Sequence, residues 1–202
     1  SETLVRLFKG NYLTGNYVKM QGCSVLDVGF GCANNAAFFA SIGMSVSGIE
    51  IHSEICEAAK SLFEELSFTG DFRVGTNRAI PFPDNTFDYL VSWNVIHYEG
   101  SENNIKSAIK EYGRVLKPGG MLVLSTTGPK HKLLDGAEAL DSHIKIINRK
   151  GDFRVGQQHF VFQTYDDIQN YFSASFKNLQ IGRIEDFLFR DKLDWWLLSA
   201  IK

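Results

Sequence analysis

The chain has 202 residues, enough for one domain with a full core, and its hydrophobic fraction of 44% and aromatic fraction of 13% exclude a disordered polymer. A net charge of -2, with lysines and arginines dispersed, excludes the electrostatic footprint of a nucleic-acid binder. Three cysteines without a Cys-x-x-Cys pair indicate neither a disulfide framework nor a zinc site, so the chain reads as cytoplasmic. No apolar run approaches the roughly 20 residues that span a bilayer, and no basic segment followed by an apolar one marks an export signal.

Residues Leu4 to Met20 carry scattered apolar positions, among them Leu7, Phe8, Tyr12, Leu13, Tyr17 and Val18, which predict a helix or two before the first strand. Val25-Leu26-Asp27-Val28 then forms a short apolar run ending near an acid. Gly29-Phe30-Gly31 follows, and Cys32 to Phe39 opens a small-residue helix that stops near Gly43. This reads as buried parallel strand, tight turn and helix start. Glycines at 29 and 31 let backbone approach a ligand closely, and the free N–H groups of the helix face the same spot.

Val46 to Glu50 is a second strand whose terminal acid lies about twenty residues beyond the turn, where a nucleotide-binding fold places a carboxylate for ribose hydroxyls. Ser53 is the expected N-cap of a helix to about Leu66. Phe72-Arg73-Val74 is a third strand, residues 75–85 a loop, and Phe87 to Trp93 a fourth strand. Ser101 caps a helix with apolar positions at Ile105, Ala108, Ile109, Tyr112, Val115 and Leu116, ended by Lys117-Pro118-Gly119-Gly120 before strand five, Met121 to Thr126. Alternating strands and helices predict a parallel sheet covered on both faces, with ligand at the carboxyl ends of the strands.

Residues 129–162 are irregular, with short strand candidates at 144–147 and 159–162. Thr164 opens a capped helix to Phe172. Leu179 to Glu185 and Trp195 to Ile201 close the chain as an antiparallel pair, with Trp195 and Trp196 expected as core and sheet-face residues. His131, His143 and His159 lack the spacing of metal ligands, and no metal is expected.

Four motifs together carry a family resemblance: Val-Leu-Asp-Val-Gly-Phe-Gly (25–31), Gly-Ile-Glu (48–50), Ile-Pro-Phe-Pro-Asp-Asn-Thr-Phe-Asp (80–88) and Arg-Val-Leu-Lys-Pro-Gly-Gly (114–120). In this order and spacing they resemble the class I S-adenosylmethionine-dependent methyltransferases, the small-molecule group related to ubiquinone and menaquinone biosynthesis methylases. The resemblance implies a single α/β domain over 1–202. Its Rossmann-like, doubly wound sheet has seven mostly parallel strands with an antiparallel last one, and 129–162 is a substrate-pocket insertion. It implies S-adenosylmethionine as cofactor and S-adenosylhomocysteine as product. The acceptor is a small molecule, without nucleic acid or membrane partner, and the protein a monomer or homodimer.

Residue by residue, the resemblance implies that Asp27 and the turn Gly29, Phe30 and Gly31 hold the methionine end of the cofactor. Glu50 binds the ribose, with Ile51 against the adenine. Thr76 and Asn77 sit at the adenine edge, and Ser92, Trp93 and Asn94 face the sulfonium. Ala33 stands where a third glycine is usual, a mild change at a helix start. Thr76 replaces the aspartate that commonly accepts from the adenine amino group, so that the adenine bond comes instead from the Asn77 backbone or the Thr76 hydroxyl. His97, with Tyr98 and Glu99 beside it, is the candidate general base, since imidazole titrates near 6.5. A nicotinamide-dependent oxidoreductase fits less well, because Asn34 stands where that fingerprint wants Gly or Ala. The alternative is a non-catalytic cofactor-binding or interaction module on the same fold.

Overall fold

The computed structural model describes residues 1–10, 12, 13 and 20–202. Of the expected N-terminal helical residues, Tyr17 and Val18 lie outside the described set. Among the described residues of this stretch one helix is seen, α1 (Glu2–Lys9), burying Leu4 and Phe8, while Tyr12 is exposed.

Strands and helices then alternate as β1 (Ser24–Val28), α2 (Asn34–Ser41), β2 (Ser45–Glu50), α3 (Ser53–Glu65), β3 (Gly70–Val74), β4 (Phe87–Trp93), α4 (Glu102–Val115) and β5 (Leu116–Thr127). The excursion that follows carries three short strands, β6 (Glu138–Ala139), β7 (Ile144–Ile146) and β8 (Gln158–Phe160), which form their own antiparallel sheet. Helix α5 (Tyr165–Phe172) leads into a long hairpin, β9 (Lys177–Leu188) and β10 (Asp191–Ile201). The main sheet has seven strands in the order β3-β2-β1-β4-β5-β10-β9. Strands β1 to β5 run parallel, and β10 lies antiparallel between β5 and β9.

Parallel strands buried on both faces need continuous apolar runs, and β1 and β4 supply them. Alternation sends Val25, Tyr89, Val91, Met121 and Val123 to the face under α1, α2 and α3. The opposite face receives Leu26, Val28, Leu90, Leu122 and Leu124, against α4, α5 and Phe160 and Phe162 of the excursion. The chain winds outward from β1 in one direction and from β4 in the other, so a crevice opens where the carboxyl ends of these neighbours part.

Three local expectations are corrected. Ser53 is the first helical residue of α3 and its hydroxyl turns to Glu54, so the N-cap is His52 in extended backbone. Ala33 is not an ordinary helix start: it sits at φ +57°, in the left-handed region that costs an L-residue roughly 1 kcal/mol and that glycine adopts freely. The closing strands run several residues longer than their apolar cores. Ser101 does cap α4, accepting from the Asn104 N–H, and Thr164 and Asp167 form a reciprocal capping box at α5.

Candidate functional site

A cleft of about 660 Å³ opens at the carboxyl ends of β1, β2 and β4. Its floor is the turn after β1. Gly29 adopts φ +65°, and its N–H donates to the Ile49 carbonyl at 2.8 Å. A Cβ there would stand 2.6 Å from Val95 Cγ2. Gly31, at φ +53°, faces open space.

Glu50 closes β2 and turns its carboxylate into the cleft. One oxygen accepts the Gly31 N–H and the other the Ile51 N–H, both at 3.0 Å. Each oxygen keeps an acceptor position, so the group is fixed in direction and still open to a hydroxyl pair. Ile51 beside it is 60% exposed, an apolar surface offered to a planar partner. Thr76 and Asn77 line the same cleft from the loop after β3, and Trp93 and Asn94 from the end of β4. Asn94 sits at φ +60°, its N–H directed to Ser125 on β5.

Four expected residues are placed elsewhere. Asp27 is buried below the turn, and one carboxylate oxygen has no hydrogen-bond partner. Burial, reinforced by the nearby Glu50, pushes its pKa up to about 7. The Phe30 ring packs edge-on against Phe72 at 5.0 Å, so only its backbone belongs to the turn. Ser92 points to the opposite face of the sheet and shares a 3.0 Å hydrogen bond with the Tyr112 hydroxyl. Consecutive strand residues alternate, which is why Ser92 departs from Trp93.

His97 follows β4 in a short 3-10 turn and is also outside the cleft lining, at 1% exposure. Tyr98 does line the cleft and is 41% exposed. The His97 ring lies 4.5 Å from Tyr98 and 5.0 Å from His159 of β8, and its Nδ1 has no partner. Trp195 of β10 joins this group, 6.4 Å from His97 and 4.3 Å from His131. His131 Nδ1 accepts the Leu133 N–H, which leaves the proton of the neutral ring on Nε2, unpartnered. Both nitrogens of His159 are unpartnered. Desolvation lowers the pKa of His131 and of His159 to about 4 and takes that of His97 well below the ordinary value, with the Arg154 guanidinium adding to all three. The seam between the small sheet and the body is therefore built of neutral imidazoles at pH 7. His143 stands apart, stacked on Phe160 at 5.1 Å with Asp167 at 3.4 Å. Trp196 is buried, and its indole N–H donates to the Phe162 carbonyl.

Sequence reasoning missed a network behind the cleft. The Tyr112 hydroxyl donates to Asn77 Oδ1 at 2.6 Å, and Asn77 Nδ2 donates to Glu99 at 2.8 Å. Arg78 pairs with the other Glu99 oxygen at 2.8 Å. Tyr112 lies within the apolar stripe of α4 and is indistinguishable from core in the sequence; its hydroxyl was the only signal. Phe153 and Gln157, reaching the cleft from the irregular excursion, left none.

Residues 25–120 match the family model described as methyltransferase domain. An uncharacterized methyltransferase of Bacillus subtilis is 30% identical over 113 residues, which is 55% of this chain and 44% of that protein. The ubiquinone/menaquinone biosynthesis C-methyltransferase of Pseudoalteromonas translucida is 29% identical over 65% of this chain and 53% of its own length. The chain thus spans about half the length of these curated relatives. A SAM-dependent methyltransferase structure from Methanosarcina mazei superposes with a TM-score of 0.74 at 21% identity, covering 96% of this chain and 95% of that one, a likeness of fold. Among the described residues no helix is long and apolar enough to cross a membrane.

Proposed function

We propose, from the premise that residues 25–120 belong to the methyltransferase-domain family, that this chain transfers a methyl group from S-adenosylmethionine to a small-molecule acceptor. The observation that carries the reading is the Glu50 carboxylate, held by the Gly31 and Ile51 N–H groups with its free lone pairs turned into the cleft. The residues present suit the cofactor: a carboxylate for the ribose diol, exposed Ile51 for the adenine face, and open space above Gly31 for the methionine end.

When bound, S-adenosylmethionine supplies a methyl group already activated on a sulfonium and leaves as S-adenosylhomocysteine. The chain's own work is alignment and exclusion of water. Glu50 fixes the nucleoside, and Trp93 and Asn94, at the end of β4, flank the reacting end. The excursion over 129–162 bounds the acceptor side through Phe153 and Gln157. Tyr98 is the cleft-facing member of the candidate base pair. His97 behind it, neutral and buried, sets the position of the Tyr98 ring.

Calorimetric titration with S-adenosylmethionine and S-adenosylhomocysteine tests this. Wild type binds both, and Glu50→Ala loses affinity by about 10- to 100-fold, the worth of hydrogen bonds to a charged acceptor. Glu50→Gln, which can still accept from a backbone N–H, serves as the folded comparison. Absence of binding at millimolar cofactor leaves only an interaction module, and unchanged affinity in Glu50→Ala removes Glu50 from the site.

A further inference from the structure

The cofactor reading leaves one contact, the purine amino edge, without a charged acceptor on the loop that faces it. In a cleft where Glu50 takes the ribose and Ile51 one face of the base, the outer edge of the purine lies against the loop at Thr76 and Asn77. That loop carries no carboxylate. Two of its backbone N–H groups turn inward: the Thr76 N–H donates to the Ala79 carbonyl at 3.2 Å and the Ala79 N–H returns to Thr76 at 3.1 Å. The Asn77 side chain is held at both ends, its oxygen accepting from Tyr112 and its amide nitrogen donating to Glu99.

The amide of Asn77 is therefore a strut, and what it braces is Glu99. This carboxylate lines the cleft beside Thr76 and Asn77, with its side chain only 9% exposed. Asn77 holds one oxygen and Arg78 the other, which leaves a further acceptor position on each. The brace is anchored in the core, since the Tyr112 hydroxyl that fixes Asn77 is itself bonded to Ser92 in β4. A charged acceptor, preset in direction and largely withdrawn from water, is suited to a donor-only group.

We infer that Glu99, approached from the far side of the cleft, accepts the hydrogen bond of the purine 6-amino group and is the residue that selects an adenine nucleoside over a 6-oxo purine. This rests on the cofactor reading above. An exocyclic amine donates to the carboxylate, whereas a 6-oxo group presents lone pairs to an anion. Ser92 and Tyr112 act only through Asn77, as positioning residues.

The test is calorimetric titration of S-adenosylhomocysteine and S-inosylhomocysteine into wild type, Glu99→Gln, Glu99→Asp and Thr76→Val. Wild type is expected to prefer the 6-amino compound by about 10- to 100-fold. Glu99→Gln, whose amide can turn its N–H to an oxo group, brings the two affinities to near parity. Glu99→Asp, one methylene shorter and still charged, keeps part of the preference and covers the case in which the glutamine variant does not fold. A wild-type preference retained in both Glu99 variants overturns the assignment, as does a preference that collapses in Thr76→Val alone. If wild type binds neither nucleoside, the cofactor reading itself has failed.

Discussion

Replacing His159 by phenylalanine keeps a ring against His97 and Tyr98 and removes a titrating group from the seam. Folding lowers the His159 pKa to about 4, so the unfolded chain takes up the proton first as pH falls. Stability from this group is present above pH 6.5 and is lost as pH drops from there toward 4. The gap of about 2.5 pH units, at about 1.4 kcal/mol each, is roughly 3 kcal/mol in full, of which up to about 2 is gone by pH 5. His131 adds a similar loss. Asp27 acts in the opposite sense: its raised pKa favours the folded state below 3.8 and that advantage fades as pH rises through 7, so wild type alone shows a partly cancelled slope. The variant isolates one contribution. Urea unfolding of wild type and His159→Phe at pH 7, 6 and 5 should show the difference in unfolding free energy shifting by about 1–2 kcal/mol in favour of the variant toward pH 5. Parallel pH profiles for the two proteins would refute the reasoning.

Two other expectations follow from the same contacts. Gly29→Ala combines positive-φ strain with a Cβ 2.6 Å from Val95, an expected loss of about 2–4 kcal/mol, whereas Gly31→Ala carries strain alone and costs about 1; urea denaturation reporting the reverse order contradicts the geometry. Tyr112→Phe removes the bond that holds Asn77 and shares Ser92, for a loss of about 1–2 kcal/mol in the same assay, and a variant as stable as wild type contradicts it.

The architecture was legible where local pattern and burial agree. Strands such as β1 and β4 are apolar on both faces, and helix α4 carries its stripe at three-four spacing, so their order along the chain dictates a doubly wound sheet. Glu50 was legible because its distance from the glycine turn is set by the length of a strand-helix-strand unit. The failures have particular causes. The expectation that Ser92 sides with Trp93 and Asn94 fails because a strand turns successive side chains to opposite faces. At Ala33 nothing in the residue type announces a left-handed backbone. His97 meets His159 because β8 packs on the turn after β4, and Trp195 of β10 joins His97 to His131; these segments are distant in the chain and only tertiary packing brings them together.

The excursion over 129–162 is pinned at both ends by groups it does not contain. Asp194 of β10 receives the Lys130 N–H at 2.7 Å and is itself clamped by Arg183, while its carboxylate would collide with any Cβ at residue 128. At the other end the Thr164 and Asp167 box fixes the entry to α5. Between these abutments the arch is itself built into the body at one stretch, where Phe160 and Phe162 enter the main core and His159 packs on His97. Changes of length or composition are therefore tolerated best in the exposed loop around 148–157, which leaves both footings and the core-bound stretch in place.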